Sequence, residues 1–189
     1  MGPFLLPFLE RTVRRSIVKK GVDTRYVNTS AGPIHVYDAP GNGNLPPIVV
    51  LHGIAASGTG FAPFFMRLRS HTKRIIVPDY PGHGFSRDPT VHLDAEALFS
   101  SVRGGLDSLL GEQECILVGN SLGGVVALDY ALHGKAKPKA LVLVSPAGAP
   151  STEDEWIELK GAFEFKNRRE ALAFRQAQCE CNGGTRIVG

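Results

Sequence analysis

The apolar positions of the chain fall into short continuous runs separated by stretches with helical spacing. Four continuous runs are typical of parallel strands that are covered on both faces of a sheet. They lie at residues 48–51, 75–78, 115–118 and 140–144. Helical patterns between them cover residues 61–69, 94–110 and 121–132. Because strands and helices alternate, the pattern predicts an α/β fold with a mostly parallel, open sheet.

Two segments ahead of these strands predict an antiparallel hairpin. Residues 26–29 and 34–38 are rich in side chains that favour strands, and they flank the turn sequence Ala31-Gly32-Pro33. The sheet is therefore expected to combine one hairpin with the parallel strands.

The first 25 residues predict a basic amphipathic helix. Apolar side chains at Leu9, Val13 and Ile17 recur at helical spacing, among six basic residues and two acidic ones. Such a helix either packs on its own domain or makes a weak contact with an anionic membrane surface through residues 4–20. The apolar run at its start contains Pro7 and is followed by no cleavage site, so a signal peptide is not predicted.

The chain changes character past residue 150. A capping box at residues 152–155 predicts a helix that carries Trp156 and Phe163, and a second helix is expected over residues 167–178. No strand pattern follows, and the composition of residues 182–186 is flexible. The predicted divisions are the basic segment 1–25, an α/β core over 26–150, and the start of a helical cap with a tail over 151–189.

The composition is that of a globular protein, since 43% of the 189 residues are hydrophobic and 21% are charged. No stretch approaches the roughly 18 apolar residues that a membrane-spanning helix needs. The net charge is +3, but residues 1–25 carry +4, so the remaining chain is close to neutral. A nucleic-acid-binding protein would show a basic face on its folded body, and we therefore exclude nucleic acid as a partner.

The three cysteines are few and odd in number, so they cannot form a disulfide framework for a domain of this size. This favours a reducing, cytoplasmic compartment. Cys179 and Cys181 lack the spacing and the companion histidine of a metal site. The sequence therefore predicts no metal and no cofactor.

The strongest chemical signal is the sequence Gly119-Asn120-Ser121-Leu122-Gly123 between an apolar strand and a helix. This is a G-x-S-x-G pattern in the strand-turn-helix context that a nucleophilic serine requires. Gly119 and Gly123 remove side chains that would collide with the adjacent helix and strand. The helix start also favours negative charge that develops beside Ser121. A phosphate-binding turn is the alternative, but it would need glycine in place of Ser121 or a lysine after it.

Two further turns follow buried strands of the predicted sheet. The first contains His52, Gly53 and Ile54 and has free backbone N–H groups suited to an oxyanion site. The second is a sharp Pro-Gly turn over residues 78–86 that contains Asp79 and His83. Because ligands bind at the carboxyl ends of the strands in open α/β sheets, all three turns are expected at one site.

In this order, the three motifs resemble the α/β-hydrolase superfamily, specifically its cap-bearing members with a serine nucleophile, over about residues 24–150. The resemblance implies that Ser121 is the catalytic nucleophile and that the backbone N–H groups of Leu122 and Ile54 form the oxyanion hole. Serine rather than aspartate at position 121 argues against the epoxide hydrolase and haloalkane dehalogenase branches. Three residues are implied to be structural and to shape loops beside the site: His52, Asp79 and His83.

The same resemblance implies parts that this sequence does not supply. The family places a catalytic acid and then a histidine after later strands, whereas the last histidine here is His133. His133 lies about 12 residues, or roughly 18 Å, along the helix from Ser121 and cannot reach its hydroxyl. The family's sheet also has eight strands. The sequence is therefore interpreted as the N-terminal two thirds of a hydrolase, with residues 140–144 as an open edge at which chains self-associate.

Two functions fit these residues. The first is a serine hydrolase that cleaves a carboxylic ester or related small apolar acyl substrate through an acyl-enzyme at Ser121. Thioester, lactone and carbon–carbon cleavage are equally compatible with it. The second is a non-catalytic module of the same fold that binds a small apolar ligand, because a serine without a base is a poor nucleophile. By either interpretation this chain, lacking its own acid and base, is expected to show at most trace activity.

Overall fold

The computed structural model describes residues 5–148 and 152–154. The chain divides into two compact units, Met1–Gly148 and Ala149–Gly189. In the second unit, Thr152 is non-helical, and Glu153 and Asp154 have helical backbone. Several residues singled out in the predicted cap and tail lie outside the described residues: Trp156, Phe163, Cys179 and Cys181.

The first unit contains a six-stranded sheet with helices on both faces. Its helices are α1 (Leu5–Lys19), α2 (Ala62–Leu68), α3 (Ala95–Leu110) and α4 (Leu122–His133). Its strands are β1 (Asp23–Val27), β2 (Ile34–Pro40), β3 (Ile48–Leu51), β4 (Arg74–Pro78), β5 (Cys115–Asn120) and β6 (Pro138–Val144). A short 3₁₀ turn, Gly58–Phe61, precedes α2.

The strand order is β1-β2-β4-β3-β5-β6. The hairpin β1–β2 and the pair β2–β4 are antiparallel, whereas β3 pairs in parallel with β4 and β5, and β5 pairs in parallel with β6. The predicted α/β class with a mostly parallel, open sheet is therefore confirmed.

The first strand lies earlier than the sequence pattern indicates. It covers Asp23–Val27 rather than residues 26–29, because Asp23 pairs with Asp38 and Val27 with Ile34. The hairpin turn consequently consists of residues 28–33. The predicted division after residue 25 falls inside β1.

Two clusters of buried apolar side chains form the core, one on each face of the sheet. In β3, Val49 and Leu51 pack with α3 and α4, whereas Ile48 and Val50 pack with α2 on the other face. This alternation explains why β3 is apolar at every position. Ile17 of α1, 4% exposed, belongs to the second cluster, so α1 packs on its own domain.

Strand β6 differs from the expectation that it is covered on both faces. Its residues 141–144 are apolar but are between 36% and 46% exposed. Among the described strands it pairs only with β5, because it lies at the end of the strand order. Self-association at this apolar edge remains a prediction of the sequence.

Candidate active site

Ser121 occupies the turn between the end of β5 and the start of α4. Its backbone has φ 52° and ψ −119°, in a region that residues with side chains rarely adopt and that costs about 1–3 kcal/mol. Hydrogen bonds hold this conformation on both sides: the Ser121 N–H donates to Val144, and the Ser121 carbonyl accepts from Gly124 and Ala147. The turn therefore presents Ser121 in one defined, strained conformation.

The glycines on either side of Ser121 allow a close approach of backbone segments. A Cβ atom on Gly119 would lie 2.3 Å from the carbonyl oxygen of Gly123 at the start of α4. A Cβ atom on Gly123 would lie 2.1 Å from the carbonyl oxygen of Leu51 at the end of β3. These distances confirm the predicted reason for glycine at both positions and show that α4 begins directly against β3.

The turn after β3 lies beside Ser121. A Cβ atom on Gly53 would lie 3.3 Å from the Cβ of Ser121, so the residue before Ile54 contacts the serine. Within residues 5–148 and 152–154, neither the Ile54 N–H nor the Leu122 N–H donates a hydrogen bond to another protein group. Two unpaired backbone donors are therefore carried by the turns that meet at this serine.

His52 makes the contacts of a structural residue. Its Nδ1–H donates to the carbonyl of Gly53 at 2.8 Å, and its Nε2 accepts the N–H of Tyr80 at 3.2 Å. Its ring also stacks on the Tyr80 ring with 3.9 Å between centroids. Burial lowers the pKa of His52 from 6.5 to about 4, so the ring is neutral near pH 7 and has no free nitrogen for catalysis.

This burial predicts a pH-dependent stability. Unfolding exposes His52, which then binds a proton below about pH 6.5, whereas the folded chain binds it only near pH 4. The free energy of unfolding is therefore expected to fall by about 3 kcal/mol as the pH drops through this window. Urea unfolding of the wild type and of His52→Gln at several pH values tests this. The free energies of unfolding of the two proteins should approach each other as the pH falls from about 7 to about 4. A constant difference between them would show that His52 does not contribute to the pH dependence.

Asp79 ties the turn after β3 to the turn after β4. The side chain is fully buried, and Oδ1 accepts the N–H of Gly58 at 2.7 Å. Its Oδ2 accepts the N–H of Phe85 and the Nδ1–H of His35, each at 3.0 Å. This agrees with the implied structural role of Asp79, which holds the two turns in a fixed relation.

His35 supports the site, although no local sequence pattern indicates it. Its side chain is buried against Asp79, although 44 residues separate the two along the chain. The signal lies in the strand register, because Val36 of β2 pairs with Pro78 of β4 and this places His35 beside Asp79. The register between β2 and β4 cannot be predicted from the sequence until the order of the strands is known.

A contact from α1 to the turn after β3 is likewise not indicated by the sequence pattern. Glu10 accepts hydrogen bonds from Ser57 at 2.6 Å and from Thr59 at 3.3 Å. A cleft of about 480 Å³ opens there, lined by α1 and by both turns, including Ala55 and His83. The N-terminal helix therefore forms one wall of a cleft next to Ile54.

No histidine is hydrogen-bonded to the Ser121 hydroxyl, although all six histidines of the sequence lie among the described residues. His83 donates from Nδ1 to the carbonyl of Pro81 at 3.0 Å. His133 is the last residue of α4, far from Ser121, and contacts Asp129. This agrees with the expectation that His133 cannot serve as the base.

Other reactive groups lie elsewhere. Cys115 is buried in β5, and burial raises its thiol pKa to about 11, which makes it a poor nucleophile near neutral pH. Among residues 5–148 and 152–154, no three potential metal ligands converge. No helix in the same part of the chain has the length and apolar character needed to cross a membrane.

Comparison with protein families gives one match that covers most of the chain. The family model described as the alpha/beta hydrolase family matches residues 48–182. A 2-hydroxy-6-oxo-2,4-heptadienoate hydrolase from Pseudomonas putida is 35% identical over 168 residues, which cover 86% of this chain and 55% of the relative. A pimeloyl-[acyl-carrier protein] methyl ester esterase from Xanthomonas campestris is 36% identical over 109 residues, or 57% of this chain and 39% of that protein.

Solved structures agree on the fold. A carboxylesterase from Bacillus subtilis superposes with a TM-score of 0.66 at 22% identity and covers 89% of this chain and 59% of its own. At this identity the likeness shows the fold alone. The chain spans about half the length, or less, of the curated relatives it matches.

Proposed function

We propose, from the premise that this chain belongs to the alpha/beta hydrolase family, that it carries the nucleophile and oxyanion-binding groups of a serine hydrolase. The nucleophile is Ser121, and the oxyanion donors are the backbone N–H groups of Leu122 and Ile54. The substrate is a small apolar ester or a related acyl compound. The observation that carries the proposal is the strained backbone of Ser121, in the turn before α4 and beside the turn after β3. Among residues 5–148 and 152–154, the N–H groups of Leu122 and Ile54 in these two turns have no hydrogen-bond acceptor.

The proposed reaction begins with attack of the Ser121 oxygen on the carbonyl carbon of the substrate. The serine proton leaves to solvent water, because none of the six histidines, which all lie in the described part of the chain, is hydrogen-bonded to the Ser121 hydroxyl. The carbonyl oxygen takes the negative charge, which the N–H groups of Ile54 and Leu122 stabilise. The N-terminal end of α4, which begins at Leu122, adds a favourable dipole. Collapse of the intermediate breaks the bond to the leaving group, which departs with a proton, and leaves an acyl-enzyme that water cleaves.

The relatives support the substrate class only in outline. The Pseudomonas putida and Xanthomonas campestris relatives are named for an oxo acid and a methyl ester, and both compounds contain a carbonyl group. Serine at position 121 is consistent with attack on such a carbonyl carbon. We propose the ester or acyl substrate because it requires the oxyanion donors that flank Ser121.

Covalent labelling of the full chain by a fluorophosphonate probe tests the proposal. Without a bonded histidine, the reaction lacks the roughly 10²- to 10⁴-fold contribution of a general base. Labelling is therefore expected to be slow but confined to Ser121, because oxyanion donors alone contribute about 10²-fold or more. Mass spectrometry of proteolytic peptides locates the adduct, which should be absent from Ser121→Ala.

Ser145→Ala is the matched control for this experiment. Ser145 is an exposed serine that also has a positive φ, 44°, and it follows β6 as Ser121 follows β5. The control variant should keep the full labelling rate at Ser121. Equal labelling of Ser145 and Ser121, or none at Ser121, would contradict the proposal and favour a module that binds a small apolar ligand without catalysis.

A further inference from the structure

Helix α1 presents a basic face to solvent. Residues Phe8, Arg11, Arg15, Val18 and Lys19 recur at intervals that place them on one side of the helix, and all five are exposed. We call this set the basic face. It is opposite Ile17, which is buried in the core.

The charges of the basic face are not paired by any acidic side chain of the described residues. Within the part of the chain that the structure describes, the side chains of Arg11, Arg15 and Lys19 have no ion-pair partner. The same residues border a cleft of about 630 Å³, together with Arg14 and Phe85. Cationic groups are therefore concentrated around a cleft that Val18 and Phe85 also line, while the rest of the chain is close to neutral.

Contacts made by other residues of α1 hold the helix in place. The guanidinium of Arg14 donates to Thr24 at 3.1 Å and lies 4.7 Å from the centre of the Phe85 ring. Glu10 accepts from Ser57, and Ile17 is part of the core. Because these contacts fix α1 to the domain, its basic face is part of the folded protein surface.

We propose that the basic face of α1 docks the protein on a membrane surface that contains anionic phospholipids. Arg11, Arg15 and Lys19 would face the lipid phosphates, with Phe8 entering the headgroup region. Basic helices with an exposed aromatic residue bind such surfaces by adding apolar burial to electrostatic attraction. This proposal does not rest on the hydrolase proposal.

A membrane fits this face better than an acidic protein because of its apolar members. Phe8 is 63% exposed and Val18 is 44% exposed, between basic side chains that already attract an anionic partner. A purely electrostatic contact would need neither apolar side chain, whereas both can be buried at the boundary between the lipid headgroups and the acyl chains. The face is also a single helix surface, which can lie flat on a bilayer.

Sedimentation of the full chain with phospholipid vesicles tests the proposal. The protein should bind vesicles of phosphatidylcholine mixed with phosphatidylglycerol and should stay in solution with phosphatidylcholine alone. Each basic residue near such a surface contributes about fivefold in affinity, so Arg11→Glu with Arg15→Glu should weaken binding by roughly 25-fold or more. Phe8→Ser should weaken it by about tenfold.

The matched control is Lys135→Glu with Lys137→Glu, which makes the same change in net charge at exposed lysines outside α1. This control should leave vesicle binding close to that of the wild type. Thermal unfolding of each variant should match the wild type, because the substituted side chains are exposed.

Three results would overturn the proposal. The first is a wild type that does not bind the anionic vesicles. The second is an equal loss of binding in the control variant, which would show attraction by net charge alone. The third is full binding by Phe8→Ser while the arginine variant loses it, which would favour a purely ionic partner such as an acidic protein.

Discussion

Replacement of Gly123 by alanine is expected to destabilise the fold by about 3 kcal/mol or more. The added Cβ atom would lie 2.1 Å from the carbonyl oxygen of Leu51 and 2.8 Å from that of His52. Both neighbours are backbone atoms at the end of β3, so no side chain can move aside. Relief requires a shift of α4 away from the sheet, and that shift would also displace Ser121.

Urea unfolding measures this effect, and Gly104→Ala is the matched control. Gly104 lies inside α3, and a Cβ atom there would meet nothing within 4 Å. Alanine favours a helix interior over glycine, so the control should gain about 0.5–1 kcal/mol. Similar stabilities for the two variants would show that the close approach of α4 and β3 is not what requires glycine at position 123.

Removal of the Asp79 carboxylate is expected to have the second large effect. Asp79→Ala would leave three donors without an acceptor: the buried N–H of Gly58, the buried Nδ1–H of His35 and the partly buried N–H of Phe85. Loss of one partner from a buried charged network costs about 3–5 kcal/mol. Since a domain is stable by only about 5–15 kcal/mol, this variant should unfold at a much lower urea concentration.

Asp94→Ala is the control for this substitution. Asp94 is the exposed N-cap of α3, where its side chain accepts the N–H of Ala97, so its loss should cost about 1 kcal/mol. Hydrogen exchange adds a local readout, because the amides of Gly58 and Phe85 should lose protection in Asp79→Ala. Retained protection there would contradict the assignment of Asp79 as the link between the two turns.

Local patterns allowed the sequence to determine much of the central sheet. The apolar runs of β3, β4, β5 and β6 and the helices between them lie close to their predicted positions. Helix α3 begins after Asp94, and α4 begins after Ser121, within one residue of the prediction. These features depend on periodicity and end signals within a few residues, which any segment carries in its own sequence.

The candidate nucleophile was predictable for the same reason. The turn at Ser121 needs glycine at positions 119 and 123, because its backbone neighbours come from β5, α4 and the end of β3. The succession of a strand, a turn and a helix indicates the motif from local sequence. The contact that excludes a side chain at Gly123 is with the end of β3, however, and is visible only in the tertiary structure. The role of Ser121 as nucleophile and the roles of Leu122 and Ile54 as oxyanion donors followed from the family resemblance and remain predictions.

Only the tertiary structure decided which distant residues support the site. The partner of Asp79 is His35, which depends on the register between β2 and β4. The contact of Glu10 with Ser57 depends on how α1 lies on the sheet, a choice that the amphipathic pattern left open. The exposure of β6 depends on its place at the end of the strand order. Local sequence carries periodicity and turn chemistry, but it does not carry strand order or register, and those two properties bring these residues together.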